Sequence, residues 1–187
     1  MQLKNILNQV ITLSNKVGHF IRKESLEFDT SKIEIKGLND LVSYVDKNAE
    51  MQLVEGLRKI LPEAGFITEE GTVNVSDAEL TWVIDPLDGT TNFVHGLPVF
   101  AISIALLRNN LPILGVVDEV NRQECFYAIE NEPAYCNQKL IQVSSQGKLS
   151  ASLLATGFPY NTMDRLTDYM KILMHFMEKT HGIRRIG

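Results

Sequence analysis

From Leu3 the apolar positions Leu3, Ile6, Leu7, Val10, Val17 and Ile21 recur at intervals of three and four, with Asn, Lys and Glu between them. That is the single stripe of an amphipathic helix. The sequence Lys-Gly-Leu-Asn-Asp at 36–40 breaks the stripe, and Val45, Ala49, Leu53, Leu57 and Ile60 resume it until Leu61-Pro62. A second helix is predicted from near Asp46, whose carboxylate suits an N-cap. Past Pro62 the pattern changes, and residues 65–68, 81–84 and 99–107 form β-branched or aromatic runs bounded by turn residues, which read as strands. Residues 113–117 and 124–128 predict two more strands joined through 118–122, and 133–141 carries a turn at Asn137-Gln138, so an antiparallel meander is the simplest connection. A short apolar run at 153–156 precedes a helical stripe over 164–179, through Leu166, Met170, Leu173, Met174 and Met177, and residues 181–187 have no predicted partner.

Helices, then strands, then strand and helix imply an α+β layered architecture. A domain change is expected after the meander, giving an N-terminal domain 1–142 and the start of a second domain, 143–187. A chain of 187 residues with 44% hydrophobic side chains can bury a sizeable core, which excludes a disordered polypeptide. The longest apolar run, 99–107, is far short of the roughly 18 residues a membrane helix needs, so no membrane partner is expected. Two cysteines, Cys125 and Cys136, and no apolar leader point to free thiols and a cytoplasmic setting. The net charge of −5 argues against nonspecific nucleic-acid binding. An acidic protein can still take a phosphate when divalent cations stand between carboxylates and anion.

The chemistry concentrates at Trp82-Val83-Ile84-Asp85-Pro86-Leu87-Asp88-Gly89-Thr90-Thr91-Asn92-Phe93. The apolar half is expected to end as a strand, with Pro86 holding Asp85 extended and Gly89 permitting positive φ or a close approach. Asp85 and Asp88 then emerge three residues apart with the Leu87 carbonyl between them, an oxygen set suited to a hard cation such as Mg²⁺. Gly89-Thr90-Thr91-Asn92 reads as the opening of a helix whose N–H groups favour an anion. Spacing alone also fits a solvated turn, because Asp, Pro and Gly are common turn residues. A calcium-loop pattern is disfavoured by Pro86 and the missing terminal Glu, and no Walker-type phosphate loop is present. Glu69-Glu70, taken alone, reads as two exposed charges, since adjacent carboxylates repel. Trp82 and Phe93 read as packing residues, and Met170, Met174 and Met177 as core filler. His95, His175 and His181 lack zinc-site spacing with cysteine.

Taken whole, the twelve-residue string resembles the signature of the inositol monophosphatase family of metal-dependent phosphatases. Lys36, Asp40-Leu41-Val42 and Asp46 resemble that family's early segment, and Phe66-Ile67-Thr68-Glu69-Glu70 its acidic second segment. Residues 134–140 and 181–187 also resemble family positions. The resemblance implies a layered αβαβα sandwich with its C-terminal part incomplete, since the chain ends before the family's Trp-Asp-x-Ala segment, which carries a further metal-binding aspartate. It implies Glu69, Asp85, Asp88 and the Leu87 carbonyl as metal ligands, with Glu70 assisting in the same cluster. It also implies two or three Mg²⁺ per site and lithium sensitivity. Thr90 and Asp46 would orient the attacking water, Gly89, Thr90 and Thr91 would contact the phosphate, and Lys36 would lie near metals and phosphate. Arg184-Arg185 falls where the family makes structural contacts. The implied activity is Mg²⁺-dependent hydrolysis of a phosphate monoester by water, in a homodimer. Thr91-Asn92 resembles the inositol branch more than the 3′-phosphoadenosine phosphatase branch, where a Lys-Glu pair is typical, so inositol 1-phosphate or a related polyol or sugar phosphate is the expected substrate. A 3′(2′),5′-bisphosphate nucleotidase-like enzyme and a noncatalytic binding or regulatory protein are the alternatives.

Overall fold

A computed structural model describes residues 2–28, 33–37, 40–73, 78–158 and 163–185. The two apolar stripes form helices α1 (Leu3–Leu26) and α2 (Tyr44–Ile60). Ile6, Leu7, Val10, Val17 and Ile21 are buried on α1, and Val45, Ala49, Leu53 and Leu57 on α2, so the periodicity identified the inward faces. Two short antiparallel strands, β1 (Ile33–Gly37) and β2 (Asp40–Ser43), occupy the stretch where the sequence showed only a break. Strands of five and four residues carry too little alternation to register as a pattern. Lys36 falls in β1, and its side chain lies outside the described residues. Asp46 is not the N-cap expected of it. The helix starts two residues earlier, at Tyr44, and Asp46 sits inside the first turn, buried at 2% exposure.

The central sheet holds β3 (Gly65–Thr68), β4 (Leu80–Asp88), β5 (Ala101–Arg108), β6 (Leu111–Glu119), β7 (Glu124–Ile129), β8 (Tyr135–Cys136) and β9 (Lys139–Leu140), in that spatial order. β3 runs parallel to β4, and every later pair is antiparallel, which is the expected meander. Asn137 and Gln138 take positive φ of 46° and 68° between β8 and β9, as a tight two-residue hairpin requires. Register aligns Trp82, Leu106, Leu114 and Ile129 in one cross-strand row and Ile84, Ile104 and Val116 in the next. All seven side chains are buried on the face that α1 and α2 cover. The opposite rows, including Val117 at 43% and Phe126 at 36% exposure, are more open.

β4 does not stop at Ile84 as the sequence suggested. It continues through Pro86 to Asp88 with an irregularity, because Asp85 pairs with Ser103 and Asp88 with Ala101. Three steps on β4 therefore match two on β5, which is a β-bulge. Pro86 has no N–H for the ladder and is accommodated in that bulge.

Residues Gln142–Gly187 form a second compact unit, apart from Met1–Ile141. Within it β10 (Leu153–Ala155) pairs in parallel with β11 (Gly182–Arg184), and a 3₁₀ turn at Met163–Arg165 leads into α4 (Leu166–Lys179) between them. The expectation that 181–187 lacked a partner is thus corrected, since Gly182–Arg184 completes a parallel pair that only a crossover can make. Met170, Met174 and Met177 are not core filler within this unit, being 43%, 58% and 63% exposed. Two three-residue strands and one helix are too few elements to enclose a core.

Candidate metal and phosphate site

Two separate stretches of chain bring carboxylates to the same end of the sheet. β3 and β4 pair in parallel as far as Thr68 and Ile84, so the next residues, Glu69 just past the end of β3 and Asp85 within β4, come side by side. In a regular strand Asp85 and Asp88, three apart, would point to opposite faces. The bulge removes that conflict: their partners Ser103 and Ala101 are two apart on β5, so both aspartates belong to the same face.

The electrostatics report the same convergence. Asp85 is half-buried, and its carboxyl is pushed up to about 8 from the ordinary 3.8, first by burial, then by a hydrogen bond and Coulomb repulsion from Glu69, then by Asp88. A backbone hydrogen bond from Leu87 N to Asp85 Oδ1, at 3.1 Å, opposes the shift. Like charges gathered in a partly desolvated corner share protons unless a cation neutralises them. Among the described residues no group of three His, Cys, Asp or Glu side chains is arranged so as to hold a metal ion. The chemistry of the donors is nevertheless that preferred by a hard divalent ion: all oxygen and carboxylate-rich, with two exposed carboxylates, Glu69 and Asp88, at the rim.

Beside the carboxylates, Thr90 opens the short helix α3 (Thr90–Val94). Its hydroxyl stands 2.9 Å from Asp46 Oδ1 and 3.0 Å from the Leu87 carbonyl oxygen. The hydroxyl has one proton and two acceptors, so Asp46 and Leu87 compete for it. Thus Asp46, 44 residues away in sequence, reaches the signature string from the first turn of α2. Gly89 precedes α3 at φ +98°, and a Cβ there would lie 3.0 Å from the Val99 carbonyl oxygen and 3.3 Å from the Phe100 Cβ, so no other residue fits without strain. Thr91 is exposed at the helix start, and Asn92 is buried with its amide donating to the Val99 carbonyl at 2.8 Å. Trp82 and Phe93 pack as expected, at 0% and 2% exposure.

Sequence reading missed Glu50. It is fully buried on α2, one turn beyond Asp46, and accepts hydrogen bonds from Glu70 N at 2.7 Å and Thr72 N at 2.8 Å, one on each carboxylate oxygen. Charge-assisted bonds of this kind contribute about 1.5–3 kcal/mol each, which offsets the desolvation of the charge. The available signal was the i, i+4 spacing of Glu50 from Asp46 on a helix whose other inward positions are apolar. Glu70 is half-buried and tied to α2 through that amide, while Glu69 is exposed.

A carboxylate-rich corner at the end of a mixed sheet under two helices fits the α+β phosphatase class that the sequence resemblance implied. The inositol monophosphatase family model matches residues 2–187. Nus factor SuhB of Haemophilus influenzae is 37% identical over 183 residues, which cover 97% of this chain and 68% of that protein. The crystal structure of extragenic suppressor protein suhB from Bartonella henselae superposes with a TM-score of 0.91 at 32% identity, covering 98% of this chain and 70% of that one. Inositol monophosphatase from Anabaena (Nostoc) sp. PCC 7120 gives a TM-score of 0.85 at 30% identity, covering 100% and 68%. The chain belongs to the inositol monophosphatase family, and its α+β fold is that of these neighbours. It spans about two thirds of the length of the relatives it matches. The expectation of no nucleic-acid partner rested on net charge, and the name Nus factor carried by relatives gives it no support. No helix among the described residues is long and apolar enough to cross a membrane.

Proposed function

We propose that this chain carries the site of a Mg²⁺-dependent phosphate monoesterase whose preferred substrate is inositol 1-phosphate or a related polyol or sugar phosphate. The observation that carries the reading is the placement of Asp85 and Asp88 on one face, with Glu69 against Asp85, beside the Thr90–Asp46 hydrogen bond. Glu69, Asp85, Asp88 and the Leu87 carbonyl would hold Mg²⁺, with Glu70 in the same acidic cluster. Bound there, Mg²⁺ supplies Lewis acidity, lowering the pKa of water and screening phosphate charge.

The chain's own groups do the rest. With its hydroxyl hydrogen donated to Asp46 Oδ1, Thr90 Oγ1 turns a lone pair outward, where it accepts a hydrogen bond from the attacking water and aims that water's oxygen at phosphorus. Gly89 lets the chain turn into α3 with its first amides on the substrate side, so Gly89, Thr90 and Thr91 contact the phosphate oxygens. In-line attack then needs no covalent phosphoenzyme. Assembly as a homodimer in the cytoplasm belongs to the same proposal. The relatives named Nus factor SuhB favour a second reading, in which the chain serves as a Nus factor by binding rather than turnover.

The deciding experiment measures Mg²⁺-dependent phosphate release from inositol 1-phosphate, sugar phosphates and 3′(2′),5′-bisphosphate nucleotides. The expected outcome is release from the polyol phosphate first and its loss in Asp88→Asn. A nucleotide bisphosphate consumed in preference would reassign the substrate. Absence of release from every substrate at saturating Mg²⁺ would leave the binding reading standing.

A further inference from the structure

A fully buried carboxylate on a helix face that is apolar apart from Asp46 calls for a function beyond packing, and Glu50 has one in reach. Its two oxygens accept from Glu70 N and Thr72 N, which bracket Gly71 at φ +66°. The chain leaving β3 is therefore wrapped around a single carboxylate. The Glu70 amide belongs to the peptide plane that follows Glu69, so fixing that amide fixes the backbone from which the Glu69 side chain departs toward Asp85. A glutamine could not replace it, because one carbonyl oxygen cannot serve both amides from these positions and its NH₂ would face an N–H donor. α2 thus grips the acidic corner twice: through Asp46 on Thr90 and, one turn on, through Glu50 on the Glu69–Glu70 peptide.

We propose that Glu50 is a positioning residue for the metal site, its buried carboxylate holding the Glu70 and Thr72 amides so that Glu69 faces Asp85. This rests on the metal-site reading above. Groups that orient ligands without touching the metal typically change affinity by about 10–100-fold when removed.

The test titrates Mn²⁺ into the 187-residue chain by calorimetry, well below the melting temperature of each variant, and follows amide exchange at residues 70 and 72 by NMR. Glu50→Gln is expected to weaken Mn²⁺ binding by about tenfold or more, with faster exchange at Glu70 and Thr72. Leu53→Ala, a comparably disruptive change at a fully buried position of the same helix, is expected to lower the melting temperature and leave Mn²⁺ affinity in the folded protein unchanged. Equal losses in the two variants, or no loss in Glu50→Gln, would overturn the proposal and leave Glu50 a helix-packing residue. If Glu50→Gln does not fold, Glu50→Asp takes its place: it keeps both acceptor oxygens but withdraws them by a methylene, and an intermediate loss of affinity is expected, whereas wild-type affinity would refute the role. Asp88→Asn is the control on the underlying reading. If Asp88→Asn leaves Mn²⁺ binding intact, the metal site itself is wrong. If Asp88→Asn abolishes binding and the Glu50 variants do not touch it, only the positioning role fails.

Discussion

Two aspartates on the same sheet, Asp85 and Asp118, are both raised above the ordinary carboxylate range, and in both burial is the largest cause. Their neighbours differ in sign. Asp118 lies on the helix-covered face, in register with Ile102 and Cys125, and accepts a hydrogen bond from the fully buried Ser14 at 3.0 Å. It lines an open cavity of about 480 Å³ with Lys16, His19 and Arg22, and Ser14 and Arg22 both pull its pKa back down, against Glu119. Asp85, on the other face, meets only carboxylates beyond burial, with the Leu87 amide as its one stabilising contact in that balance. Desolvation alone therefore does not mark a site. What distinguishes Asp85 is that its neighbours are further negative charges, an arrangement that favours folding only if something positive arrives.

The largest expected effect breaks that arrangement outright. Asp88→Asn or Asp85→Asn should lower Mg²⁺-dependent phosphate release by at least roughly a hundredfold, the scale on which loss of one transition-state charge stabiliser is felt. The same assay on His95→Ala, an exposed position in the loop after α3, should show wild-type rate. Equal losses in the aspartate and histidine variants would remove the distinction drawn between Asp85 and the rest of the sheet. Gly89→Ala comes next. A methyl group 3.0 Å from the Val99 carbonyl, at φ +98°, stores about 1–3 kcal/mol of strain or displaces Thr90, and either a lower melting temperature or a fall in kcat of up to about a hundredfold should follow.

Stability against pH sharpens the comparison further. A carboxyl whose folded value lies above its unfolded one favours folding fully below the unfolded value and loses that contribution as pH rises through the folded value. For Asp85 the window runs from about 4 to about 8. In EDTA, thermal melts should show the melting temperature falling as pH rises across this window. Saturating Mg²⁺ should remove the part due to Asp85, because the cation stabilises its ionised form, and leave the part due to Asp118. A pH profile indifferent to Mg²⁺ would show that the two aspartates do not differ as argued.

The helices, the meander and the Asn137-Gln138 hairpin were legible because each rests on a local pattern, a period of 3.6 or 2 closed by turn residues. The string from Trp82 to Phe93 was legible as chemistry for the same reason, since its residues are contiguous. What stayed hidden depends on partners far along the chain. The bulge that turns Asp88 onto the face of Asp85 is defined by its register against β5, and Asp46 meets Thr90 across 44 residues. β11 is a strand only because β10 lies beside it. Glu50 has no visible partner in the sequence, because the amides it holds belong to the chain that folds over it after β3.

The smallest effect belongs to Asp118→Asn, and its smallness is the point. Asparagine has the same shape, and its carbonyl oxygen can still accept the Ser14 hydroxyl, so the buried hydrogen bond survives while the charge that burial disfavours is gone. Losing the attraction to the partly exposed Arg22 offsets only part of this gain, because burial outweighs Arg22 in its effect on Asp118. The melting temperature at neutral pH should therefore move by no more than a few degrees, with the pH slope that persists in Mg²⁺ flattened. Mn²⁺ affinity and phosphate release should match wild type, because Asp118 faces α1 rather than the carboxylate corner. A loss of metal binding in Asp118→Asn would mean that the two faces of the sheet are coupled, and the contrast between its aspartates would have to be redrawn.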